Sequence, residues 1–328
     1  MTGAHPEVMR RLVETNMEHT PGYGLDEHCR NARRLILEAA GISDGDVYFL
    51  IGGTQTNATV IDRLAGRGEG VFAADSAHIN VHEAGAIEAD GHKVITLPTI
   101  DGKISAADIC AYLKNFYSDD TWEHMVRPAM VYISFPTELG TLYSRRELEE
   151  LRKVCDEYHL PLYIDGARLA YGLASPACDV TLADIGRLSD VFYIGGTKCG
   201  TLFGEAVVTR RPEILKPFFS HIKRHGALLA KGRLLGVQFE APFTDDLYLR
   251  IGRHSVGIAL QLKQQLLDKG YKMLIDSPTN QQFFILPNEV LDSLAGKVSV
   301  GLWGPRGEKE TAVRFVTTWS SEALDFSL

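Results

Sequence analysis

A lysine in a glycine-rich turn, Gly195-Gly196-Thr197-Lys198-Cys199-Gly200, follows directly on a short apolar run. An amine held at such a turn beside a cavity can form an imine with an aldehyde, whereas at the surface it is simply solvated. Upstream, Tyr163-Ile164-Asp165-Gly166-Ala167-Arg168 puts a carboxylate at the end of another apolar run. An acid there is costly unless paired, and its cation is either Arg168 or a protonated ring nitrogen on a ligand. Earlier still, Gly52-Gly53-Thr54 joins an apolar run to a helix start, with side-chain donors at Gln55, Thr56 and Asn57. Glycine lets the backbone approach closely, and the free N–H groups of a helix start favour an anion. The turn is neither GxGxxG nor GxxxxGK[ST], so alone it fits a plain strand–helix junction as well as a phosphate cradle. Taken in order, the glycine turn, the strand-end Asp and the strand-end Lys are the three anchors that pyridoxal 5′-phosphate (PLP) requires. They supply a phosphate cup, a carboxylate for the ring nitrogen and an imine-forming amine.

Other residues can join this set. His78, with Glu83 and Gly85 nearby, follows an apolar run ending at Ala74. Its ring can stack on a cofactor or act as a base, or it can be a hydrogen-bonded surface histidine, with His82 as the nearby competitor. His221, Lys223, Arg224, His225, Lys231 and Arg233 form a basic stretch read as helical. Most of it reads as a solvated face, although a phosphate needs a counter-charge. Arg314 lies inside a strand-like apolar run and calls for a carboxylate, either internal or from a substrate.

These residues need a scaffold that delivers them to one edge. Residues 47–51, 70–74, 93–97, 129–134, 161–165, 190–194 and 205–209 read as strands, and residues 56–64 and 145–158 as helices. The alternation predicts an α/β fold with a mostly parallel sheet flanked by helices. Ligands in such sheets sit beyond the carboxyl ends of the strands, where all three anchors fall. A long helix over 247–269 and strands near 283–286 and 312–317 predict a smaller C-terminal α+β domain. The division is therefore residues 1–242, a large PLP-binding domain, and residues 243–328.

Composition excludes several classes. Hydrophobic residues make up 45% and charged residues 23%, with a net charge of −8, which gives no footprint for nucleic acid. The five cysteines show no CxxC and fit a reducing compartment. No apolar run approaches membrane-spanning length, and residues 1–10 lack the apolar stretch of a signal peptide. The cytoplasm is the expected location.

Together the motifs resemble the low-specificity L-threonine aldolases, PLP enzymes of the aspartate-aminotransferase-like fold type I. The resemblance runs from about Gly22 to Trp319 and is most specific between Ile133 and Phe239. It is carried by Tyr23-Gly24-Leu25-Asp26, Gly53-Thr54-Gln55, Pro136-Thr137-Glu138-Leu139-Gly140-Thr141, Asp165-Gly166-Ala167-Arg168, Gly195-Gly196-Thr197-Lys198 and Lys231-Gly232-Arg233. The resemblance implies that Lys198 is the Schiff-base lysine, that Asp165 keeps the ring nitrogen protonated and that His78 stacks on the ring. It places Gly53, Thr54, Gln55, Thr197 and Arg233 with the cofactor, Arg168 beside the cofactor's phenolic oxygen or the substrate, and Tyr23 and Arg314 with the substrate, Arg314 gripping its carboxylate. Two departures stand out. Glu138 occupies a position where many members carry histidine, and the start Met1-Thr2-Gly3-Ala4 shows no Ser-Asp pair of the family's kind.

The resulting expectation is retro-aldol cleavage of L-threonine, L-allo-threonine or a related β-hydroxy-α-amino acid to glycine and an aldehyde, with no metal required. His78, Glu138 or a held water takes the β-hydroxyl proton, and His78 is favoured because imidazole titrates nearest neutrality. The partner is a small amino acid, and a homodimer or homotetramer with the active site at the subunit boundary is implied. The alternatives are β-elimination, racemisation or transamination on the same scaffold, a dinucleotide-dependent oxidoreductase, and a catalytically silent PLP-binding protein.

Overall fold

Continuous apolar runs build the main sheet of the computed structural model, which describes residues 2–323. Its strands are β1 (Asp46–Leu50), β2 (Gly70–Ala74), β3 (Lys93–Leu97), β4 (Pro128–Ser134), β5 (Leu162–Asp165), β6 (Val191–Gly195) and β7 (Glu205–Thr209). In space they follow the order β1-β7-β6-β5-β4-β2-β3. Strands β3, β2, β4, β5 and β6 are mutually parallel, and β7 runs antiparallel to both of its neighbours. Every residue of β2, β4, β5, β6 and β7 is buried, as strands covered on both faces must be. The expected α/β fold with a mostly parallel sheet is what forms.

The direction of β7 follows from its connection. Residues 196–204 are too few for the crossover that a parallel neighbour needs, so the chain turns straight back. Gly204 O accepts from both Gly196 N and Thr197 N, which closes the turn that carries Lys198.

A second sheet holds β8 (Lys272–Ile275), β9 (Gln281–Pro287), β10 (Gly301–Leu302) and β11 (Glu310–Val316), all antiparallel in the order β10-β11-β9-β8. It has its own apolar core, including Leu266, Phe284, Leu286, Val313 and Phe315. The helix Leu247–Asp268 joins the two. Leu247, Tyr248, Ile251 and Val256 pack into the large core, and Leu262 and Leu266 into the small one.

Two expected elements change. The helix expected over 56–64 starts at Gly53, because Gly52 is its N-cap and the glycine turn forms its first turn. The basic stretch is not one helix. A helix Phe218–Arg224 stops, Gly226 takes a left-handed φ of 68°, and a new helix starts at Arg233. A left-handed glycine just past the last turn is a standard helix stop. The helix Glu27–Ala39 was not anticipated, although Asp26 caps it through Cys29 N and Cys29, Ala32 and Ile36 form its buried face.

Candidate active site

Residues from five strand ends surround one hollow. Its lining includes Gly53, His78, Glu138, Asp165, Arg168 and Lys198, six of the residues expected at the site, together with Glu83, Ser134 and Tyr193.

Asp165 ends β5 and is buried, at 4% exposure. Its Oδ1 accepts from Ala167 N at 2.9 Å, and its Oδ2 accepts from Tyr132 OH at 2.7 Å and Asn57 Nδ2 at 3.0 Å. These three donors offset the cost of burying the carboxylate. Strand geometry explains the arrangement. Tyr132 pairs with Tyr163 and Ser134 with Asp165 across β4 and β5, and residues two apart share a face. Burial first, and then the charge of Asp165, push the Tyr132 phenol well above its ordinary range, so it stays a donor.

Lys198 lies in the turn after β6, mostly out of water. Burial, and next the positive charge of Arg168, lower its ammonium pKa, with Asp165 and Glu205 opposing. A lowered value raises the share of neutral amine, the form that attacks an aldehyde. The Tyr171 hydroxyl donates to Lys198 O and holds the turn from below. Glu205, the first residue of β7, is buried at 3% exposure and accepts from Gly196 N at 3.2 Å. Burial pushes its carboxyl up to about 8.

His78 opens a short helix after β2. Its Nδ1 lies 2.7 Å from Glu83 Oε1. A carboxylate only accepts, so Nδ1 carries the hydrogen and Nε2 is left with a free lone pair. Asn57 Nδ2 donates both to Glu83 Oε1, at 2.8 Å, and to Asp165, while Asn57 Oδ1 accepts from Tyr163 OH at 2.9 Å. Glu138 Oε1 accepts from Ser134 Oγ at 2.6 Å and from His78 N at 3.0 Å. Burial raises the Glu138 pKa.

Arg314, on β11, has no carboxylate partner among the described residues. It reaches only Gln281 Oε1, at 3.4 Å, and lies over the Trp303 ring at 5.3 Å. Burial and then the charge of Arg168 lower its pKa. Arg168 has no ion pair among the described residues either. Two half-buried guanidinium groups that repel each other can accept an anion between them.

Four expected residues lie elsewhere. Thr54 is exposed, and Gln55 turns away to donate to His225 O at 2.8 Å. Tyr23 is exposed with the Lys223 ammonium 5.0 Å over its ring. Arg233 borders a separate hollow with Asn16 and Thr20, where its Nη2 donates to Asn16 O at 3.4 Å. Tyr23 N is bonded to Ala230 O, so Tyr23 and the basic loop stand together on a face that this chain does not turn toward Lys198. Thr197 is beside Lys198 and serves the turn, taking a 3.0 Å bond from Gly204 N.

The residues present fit PLP. The helix Gly53–Leu64 has no side-chain cap, and a Cβ on Gly52 would meet nothing within 4 Å. Its first N–H groups therefore face open space suited to a phosphate. The strand-end carboxylate and the amine line the same hollow.

Sheet order, the lone antiparallel strand and a half-buried lysine at its turn define a PLP enzyme of fold type I. The chain belongs to the beta-eliminating lyase family, whose profile matches residues 1–282. It is 26% identical to the low specificity L-threonine aldolase of Pseudomonas aeruginosa, over 98% of this chain and 91% of that enzyme. It is 42% identical to the threonine aldolase of Leishmania major, whose structure superposes with a TM-score of 0.94 over 98% of this chain and 93% of the other. An aromatic aminotransferase from Pyrococcus horikoshii shares the fold at 14% identity, with a TM-score of 0.69 over 98% of this chain and 89% of the other.

Proposed function

We propose that this protein is a PLP-dependent aldehyde-lyase that cleaves L-threonine, L-allo-threonine or related β-hydroxy-α-amino acids to glycine and an aldehyde. The observation that carries the reading is the convergence of Lys198, Asp165, His78 and Arg168 on one hollow, with Arg314 near enough for the charge of Arg168 to lower its pKa and without a carboxylate partner among the described residues. The likeness over nearly the whole chain to threonine aldolases supports the same reaction.

Bound there, the cofactor supplies an electron sink for the pair left on Cα as the Cα–Cβ bond breaks. Lys198 supplies the amine that holds it. Asp165, held by three donors, would hold the ring nitrogen protonated. Arg314 and Arg168 bind the substrate carboxylate, which fixes which bond at Cα is presented for cleavage. His78 Nε2 takes the β-hydroxyl proton, and Glu83 holds the opposite ring hydrogen so that this nitrogen is the free one. Glu138 takes the positioning part, since its Oε1 is engaged by Ser134 and by the His78 backbone.

The surface carrying Tyr23, Lys223 and Arg233 points to a homodimer or homotetramer in which a second copy turns this face to the hollow. No helix among the described residues is long and apolar enough to cross a membrane. Together with five unpaired cysteines, this supports a cytoplasmic place.

The test is glycine release from L-threonine, L-allo-threonine and phenylserine with added PLP, read beside the visible spectrum. The wild type is expected to give glycine and aldehyde, and Lys198→Ala to lose both turnover and the yellow absorbance. Ammonia and a keto acid as products, or an active and yellow Lys198→Ala, would overturn the assignment.

A further inference from the structure

Asn57 lies one helical turn beyond Gly53, on the inner face of the helix Gly53–Leu64, and is 1% exposed. Asparagine is a poor helix former, and burying a primary amide is costly unless its polar atoms find partners. A residue that breaks both local preferences inside a core helix points to a task other than building that helix. Here every polar atom is used. Nδ2 lies 2.8 Å from Glu83 Oε1 and 3.0 Å from Asp165 Oδ2, and Oδ1 lies 2.9 Å from Tyr163 OH. Nδ2 carries two hydrogens, one for each carboxyl oxygen, and Oδ1 faces a hydroxyl that can give one. Burial, and then the charges of Asp165, Glu83 and Glu205, hold the Tyr163 phenol well above its ordinary range, so it keeps that hydrogen. Turned over, the amide would set its oxygen against two carboxyl oxygens.

Three parts of the site meet at this one amide. Its own helix begins with the turn that faces open space suited to a phosphate. Asp165, at the end of β5, is the carboxyl group for the ring nitrogen. Glu83 stands behind His78, and the oxygen that Asn57 reaches is the one that lies 2.7 Å from His78 Nδ1. Among the described residues no other side chain bonds to both Asp165 and Glu83.

We propose that Asn57 is a positioning residue that holds His78 and Asp165 in register with each other and with the glycine turn, a role that rests on the PLP-dependent reading above. Without the bridge each of two buried carboxyl groups loses a donor, and their charges face each other across a dry gap. Asp165 keeps the bonds from Tyr132 and Ala167 N, so it stays buried and loses its alignment. Glu83 keeps only His78, so the imidazole is held by a carboxyl group that is itself no longer held. Arg168 and Arg314 make no bond to Asn57, Glu83 or Asp165 among the described residues, so the hold on the substrate carboxylate is left alone.

The experiment compares Asn57→Leu and Asn57→Asp with the wild type. PLP is titrated into each apoenzyme by absorbance, and aldehyde release from threonine is followed at saturating PLP. In Asn57→Leu, PLP affinity and kcat should each fall by about fivefold or more, with KM held within about twofold. Added to His78→Asn, the same change should cost as much PLP affinity but less kcat, because part of the kcat loss runs through His78. Asn57→Asp keeps the shape, and carries the test should the leucine variant fail to fold. It puts an oxygen against the two carboxyl groups, and one added proton can bridge to only one of them. Its losses relative to wild type should shrink as pH falls from about 8 to about 6 and the new carboxyl, crowded by like charges, takes up that proton. Wild-type PLP affinity and kcat in Asn57→Leu would overturn the proposal. So would full additivity with His78→Asn, or losses in Asn57→Asp that ignore pH, the outcomes for an amide that only fills the core. Because the PLP titration needs no turnover, it judges Asn57 even if glycine proves not to be the product.

Discussion

Glu83→Gln isolates the charge behind His78. In the wild type the imidazole Nδ1–H meets a carboxylate oxygen at 2.7 Å, with the Glu83 side chain fully buried. Glutamine keeps the length and one accepting oxygen and loses the charge. Glu83 Oε2 is buried without a hydrogen-bond partner among the described residues, so the new amide nitrogen exchanges one unpaired atom for another. The change therefore falls on the two bonds that Glu83 Oε1 accepts, from His78 and from Asn57, and only the first touches the reacting imidazole. A hydrogen bond to a charged group contributes about 1.5–3 kcal/mol and a neutral one about 0.5–1.5, so the loss is about 1–1.5 kcal/mol. If that support is felt when His78 accepts the hydroxyl proton, kcat for retro-aldol cleavage falls about 5- to 13-fold and KM holds. His78→Asn, which removes the base, costs about 10²–10⁴-fold. Adding Glu83→Gln to His78→Asn costs nothing more, since the two act as a unit. Steady-state aldehyde release at saturating PLP reads all three variants. An unchanged kcat in Glu83→Gln, or additive losses in the double variant, would refute the reasoning.

Arg314→Gln removes one of the two cations that await the substrate carboxylate. KM for threonine should rise by about 10- to 150-fold, the range for a lost charged hydrogen bond, while the spectrum of bound PLP is kept. A KM within twofold of wild type would remove Arg314 from the substrate site. Glu205 gives a pH test. Its folded pKa, about 8, lies above the ordinary carboxyl value of 4.5, so the folded chain holds a proton that the unfolded chain releases. The stabilisation this gives is complete below the unfolded value and declines as pH rises toward 8. Between pH 5 and 7, urea unfolding should show wild type losing stability relative to Glu205→Gln by up to about 1.4 kcal/mol per pH unit. A flat difference would mean that Glu205 is ionised throughout.

The strands of the main sheet were legible because buried parallel strands are written as unbroken apolar runs, and β7 was found to the residue. The anchors were legible for the same reason, since Asp165 and Lys198 are polar residues placed where such runs end. The partners of those anchors were harder to see. Asn57 faces inward from a helix, and Tyr132 reads as one more β-former until its register opposite Tyr163 is known. A signal existed for Ser134, which alternates with Tyr132, and for Glu205, an acid that opens an apolar strand. Tyr23 and Arg233 were placed by resemblance, and motif similarity says nothing about which face of the chain a motif occupies. The break in the basic stretch was written in Gly226, yet a run of like charges reads as continuous helix unless the stop signal is weighed.

The turn over residues 196–204 is a reversal between two hydrogen-bonded strands, with Gly204 O taking two amide hydrogens across its neck. A lysine on an ordinary strand-to-helix loop would shift whenever that helix shifted. Here both ends of the loop are clamped into the sheet by hydrogen bonds. The Lys198 backbone is thus a fixed reference, and only its own side chain carries the amine about that point.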